Sequence, residues 1–153
     1  IEGVPHPQLF QRFREASGIT APHSSEDEAI ELVCWRESFI ATLTYGSAAE
    51  AIGALGLGTE NIVSTIYLPF VEALSHTDLH PRDTVFFPLH TAVDDHHQEA
   101  LEEISLVFAA TPTGKGDLRR GMIKALSLRS SFWDWMYQRA LTCPGQKAMA
   151  FAS

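Results

Sequence analysis

Between Thr59 and Leu74 the apolar residues Ile62, Val63, Ile66, Tyr67, Phe70, Val71 and Leu74 recur at three- and four-residue steps, the period of one face of an α-helix. The same period returns in Ile30, Val33, Cys34, Phe39, Ile40 and Leu43. Nowhere does the chain alternate apolar and polar residues as a half-buried strand would, so the expected class is all-α. The 153 residues, 45% of them hydrophobic, suffice for one core, and no repeat or linker divides them. A single helical domain spanning 1–153 follows.

Start and stop signals place the helices. One runs from Pro7 to about Ala16 and ends at Gly18. Ser24 and Ser25, ahead of Glu26, Asp27 and Glu28, cap a long segment through Leu43. A short alanine-rich helix spans Ser47 to Leu55 and is broken by Gly56 and Gly58. The next runs from Thr59 to Leu74 with a kink at Pro69. After a polar loop, Ser75 to Pro81, a long helix extends to about Ala110. Thr111 to Gly116 reads as a turn, and the last helix covers Asp117 to about Leu141.

The formal charge of −8 excludes a nucleic acid or an anionic membrane surface as partner. Cys34 and Cys143 lie far apart and read as reduced thiols, which makes the cytoplasm the expected compartment. No apolar run reaches the length of a membrane span, and Ile1-Glu2-Gly3-Val4-Pro5 is unlike a signal peptide.

The chemistry-bearing stretch is His90-Thr-Ala-Val-Asp94-Asp-His-His97. His90, Asp94 and His97 stand at i, i+4 and i+7, within about 60° of one another on a helix surface. Two imidazoles and a carboxylate on one stripe suit a transition metal, although Asp95 and His96 beside them fit a solvated polar face equally well. Apolar flanks, Thr84 to Leu89 before and Ile104 to Phe108 after, favour a helix that crosses a core, where buried polar groups need partners.

Three groups on one stripe leave a metal site incomplete. Glu60 lies in the otherwise apolar Leu55-Gly-Leu-Gly-Thr-Glu60-Asn-Ile-Val, where it is either a ligand or an ordinary acid at a helix start behind Thr59. His6, between Pro5 and Pro7, is either a further ligand or a surface group. Trp133, Trp135, Met136 and Tyr137 either line a substrate cavity or pack. Phe86, Phe87 and Leu89 stand next to the stripe and are candidates for an apolar pocket wall.

The block His-x-x-x-Asp-Asp-x-His followed by Glu99-Ala-Leu-Glu102, a Glu in a Gly/Ala-rich helix start, and a His before Leu9-Phe10 together resemble the haem-oxygenase-like diiron oxidases, which are iron-containing redox enzymes. The resemblance implies a haem-oxygenase-like helical bundle, incomplete at its N-terminus. Two Fe(II), or Mn(II), would be held by His90, Asp94 and His97 from one helix, a bridging Glu60, and His6. Spacings of 54 residues from His6 to Glu60 and 30 from Glu60 to His90 suit that pattern. The family's remaining Glu precedes the earlier His; here it is Glu2 or, as expected, a residue upstream of Ile1. The implied activity is dioxygen activation to oxidise a small organic substrate, by N-oxygenation or oxidative C–C cleavage, in a domain for which a homodimer is the commonest arrangement. The scaffold is also similar to cofactor-free enzymes of the thiaminase and quinone-cofactor oxidase type, and a noncatalytic binding module is the reading from a different class.

Overall fold

The computed structural model describes residues 3–18, 28–92 and 95–142, and these form helices with no strand among them. α1 (His6–Ala16) begins behind an extended Pro5 and ends where Gly18 takes a left-handed φ of +68°, a conformation that glycine adopts without steric cost. Its Leu9 is the most deeply buried large side chain, 1% exposed.

α2 (Ile30–Tyr45) starts later than the sequence signals predict. Ser24 to Asp27 lie outside the described residues, while Glu28 pairs with Arg36 and Ala29 is extended (φ −62°, ψ 134°), so neither belongs to the helix. The helix is apolar around much of its circumference. Trp35 stacks on Phe132 at 5.2 Å, whereas Ile30 and Ile40 remain exposed. Cys34 is a free, exposed thiol; Cys143 lies outside the described residues.

Gly56 and Gly58 do not break the chain as expected. α3 (Ala48–Ile52), capped by Ser47 accepting from the Glu50 amide, runs directly into a π-helical segment, Gly53–Glu60, and on into α4 (Asn61–Ile66). The glycines serve tertiary packing instead. A Cβ at Gly53 would collide with the Leu118 backbone, one at Gly58 would lie 2.7 Å from the Ala125 Cβ, and one at Gly56 would lie 3.1 Å from the Leu101 Cβ.

The partner in most of these contacts is α9 (Pro112–Thr142), the spine of the fold. It begins five residues earlier than predicted. Pro112 pre-sets the first turn, and Thr111 Oγ1 accepts from the Gly114 amide at 3.1 Å, so a run that reads as a turn is a capped helix start. Gly114 and Gly121 are buried where other backbone approaches.

Pro69 interrupts its helix as expected: α4 ends at Ile66, Tyr67 caps it, and α5 (Leu68–Ser75) follows. The predicted long histidine helix is divided. It breaks at Val85, between α6 (Pro81–Thr84) and α7 (Phe86–Ala92), just ahead of Pro88, whose ring cannot sit against the carbonyl of residue 84 in a continuous helix; α8 (Asp95–Ala109) follows, residues 93 and 94 lying outside the described residues. Among the described residues no helix is long and apolar enough to cross a membrane.

Candidate metal centre

The chain brings together two histidines that lie 84 positions apart. His6, the first residue of α1, and His90, on α7, have ring centroids 4.8 Å apart at an interplanar angle of 67°. Docking of α1 on α6 and α7 through Phe10 against Phe86 (5.0 Å) and Phe13 against Phe87 (4.9 Å) fixes that meeting.

His90 is held from behind. Its Nδ1 lies 2.6 Å from the Phe86 carbonyl oxygen, one helical turn back. A carbonyl can only accept, so Nδ1 carries the proton and donates, leaving the Nε2 lone pair free to bind a cation. This is the outer-shell restraint that a metal-binding imidazole needs. No residue type announces it, because every non-terminal residue of a helix offers such a carbonyl.

Aromatic rings border the partly buried imidazole. Phe86 lies 4.2 Å from it and Tyr67 6.0 Å, and Tyr67 in turn touches Phe70 and Phe87. Phe87 is 6% exposed and faces the core, so of the apolar residues beside the stripe it is Phe86 that borders the histidine. Trp133 packs on Phe70 and Trp135 stacks on Phe132, which makes both packing groups, while Tyr137 is largely exposed.

Glu60 is the last residue of the π-helical segment and is partly buried. Wide turns of this kind are concentrated at functional sites. His97 lies on α8, within a turn whose side chains are not described, and Asp94 and Glu2 lie outside the described residues. Among the described residues no three His, Cys, Asp or Glu side chains close on one metal-sized site. The donor chemistry nevertheless fits iron: an exposed His6 meets, edge to ring, a partly buried His90 that is locked in the ligating tautomer and bordered by Phe86 and Tyr67.

A second polar cluster joins α3 to α9. Glu50, 6% exposed, takes Lys124 Nζ at 2.5 Å and Arg120 Nε at 3.3 Å, and those cations hold its carboxyl below the usual glutamate value against the opposing effect of burial. Its signal in the sequence is Ser47-x-x-Glu50, the capping-box spacing.

Searches of curated proteins and of solved structures returned no match. Residues 2–130 match the model of a family described as iron-containing redox enzyme. That span runs from the first residues to the middle of α9 and takes in His6, Glu60 and His90, and with it the chain belongs to the family of iron-containing redox enzymes.

Proposed function

We propose that the chain is a non-haem diiron oxidase or oxygenase, with His6, Glu60, His90, Asp94 and His97 as metal ligands and one further carboxylate completing the set. The observation that carries this reading is the His6–His90 pair, with Nδ1 of His90 committed to the Phe86 carbonyl. Bound ferrous iron would supply the electrons and open positions for reducing dioxygen, at the expense of a small organic substrate that undergoes N-oxygenation or oxidative C–C cleavage. The chain's own contribution is orientation and exclusion. The Phe86 carbonyl fixes which nitrogen of His90 faces the centre, and Phe86 and Tyr67 keep water from that side of the ring.

Metal analysis after anaerobic Fe(II) loading tests the reading. The parent chain should take up close to two irons and develop an optical band on exposure to oxygen, and His90→Ala should lose most of that iron. A His90→Ala variant that binds iron as well as the parent removes the proposal.

A further inference from the structure

The hairpin of α8 and α9 carries an apolar cavity of about 430 Å³ between two charged banks. Leu57, Leu106, Ala109, Leu118 and Met122 supply its apolar wall, while Glu102 on α8 and Lys115 and Arg119 on α9, all three exposed, border it. Helical period builds this layout. Glu102, Leu106 and Ala109 stand at i, i+4 and i+7, and Lys115, Arg119, Met122 and Leu126 at i, i+4, i+7 and i+11, so each bank is a stripe of one helix face. Leu106, although it lines the cavity, is 71% exposed, and Leu126 at the end of the α9 stripe is exposed as well.

The charges are sorted by helix. Glu103 beside Glu102 leaves α8 acidic there, whereas the α9 stripe carries the two cations. Across the groove they do not meet. Among the described residues neither Lys115 nor Arg119 forms an ion pair, and Glu102 accepts from Gln98 of its own helix at 3.1 Å. An apolar centre with a charged rim is the anatomy of a protein interface. A free amphipathic anion would satisfy the cations but leave Glu102 facing it without a partner. A chain of net charge −8 repels its own copies in general, so self-association needs a face on which unlike charges meet. This face is complementary to itself: a twofold axis that lays α8 of one protomer across α9 of its partner carries acids onto cations twice.

We propose that the chain pairs with a second copy of itself through this hairpin. Leu106 of each protomer seats in the other's cavity, and Glu102 and Glu103 of each lie against the partner's Lys115 and the partner's Arg119. Leu57, three residues ahead of Glu60, is part of the same wall, so the interface adjoins the π-helical segment. Nothing in this pairing depends on bound iron.

Sedimentation equilibrium of the full chain tests this. The parent should dimerise, and Leu106→Glu should weaken the dimer by about thirtyfold or more, the loss that follows removal of a central anchor. Charge reversal gives the sharper reading. Glu102→Lys with Glu103→Lys makes both banks basic, and Lys115→Glu with Arg119→Glu makes both acidic. Each doubly substituted chain alone should be monomeric, and an equimolar mixture of the two should restore a dimer, because every facing pair is again of unlike sign. A parent that stays monomeric, a Leu106→Glu chain that dimerises as the parent does, or a mixture that stays monomeric overturns the inference, the first of these leaving the groove to a different occupant. Circular dichroism checks that Leu106→Glu is folded, and where it is not, the charge-reversed mixture decides alone.

Discussion

Gly121 of α9 lies directly against the carbonyl oxygen of Glu50, so close that a methyl group at position 121 would overlap it, and the Ala54 amide nitrogen would stand 2.8 Å away. Backbone meets backbone there, and neither side has a flexible end that could give way. Gly121→Ala should therefore destabilise the chain by about 3 kcal/mol through overpacking. Gly116, earlier on the same helix, would have nothing within 4 Å of an added methyl group, and Gly116→Ala should stabilise by roughly 0.5–1 kcal/mol through helix propensity. Urea unfolding of the two variants checks the pair, and equal midpoints would contradict the packing argument.

The Glu50 carboxylate predicts a pH dependence. Lys124, then Arg120, hold its folded pKa below the ordinary 4.5, so its contribution to stability is complete above that value and is lost as pH falls through the lower folded value. Glu50→Gln should cost about 1–3 kcal/mol at neutral pH. Its stability should also fall less than the parent's on acidification below pH 4.5. Denaturation midpoints from neutral pH down into the acid range measure both effects, and parallel curves for the two proteins would refute the assignment.

His6 faces His90, whereas His76 is exposed at the end of α5. His6→Ala should weaken Fe(II) binding by about tenfold at the least, a loss that follows even removal of an outer-shell partner. His76→Ala should bind as the parent does. Anaerobic titration followed by metal quantitation distinguishes them, and equal retention by both variants would remove His6 from the ligand set.

The helical class was legible because it follows from local repetition: residues such as Ile62, Ile66 and Phe70 announce their period within a single segment. The glycines at 56 and 58 were not, because local propensity marks them as breakers while their reason lies in Leu101 and Ala125, far along the chain. Thr111 and Pro112 read as a turn because turn formers and helix-start formers overlap. His6, Glu60 and His90 were legible as candidates by residue type and spacing. The meeting of His6 with His90 depends on how α1 docks, and the Phe86 carbonyl has no residue-type signature.

The widened turn from Gly53 to Glu60 lets one uninterrupted rod serve two masters. Within that turn Gly53 and Gly58 seat closely on the spine helix and Gly56 on Leu101 of α8, and its last residue is Glu60. Removing a single residue from this stretch would swing everything beyond it by about 100°, carrying that carboxylate to another side of the rod and putting the seated glycines out of register. Length there, as much as side-chain identity, is what evolution would have to preserve.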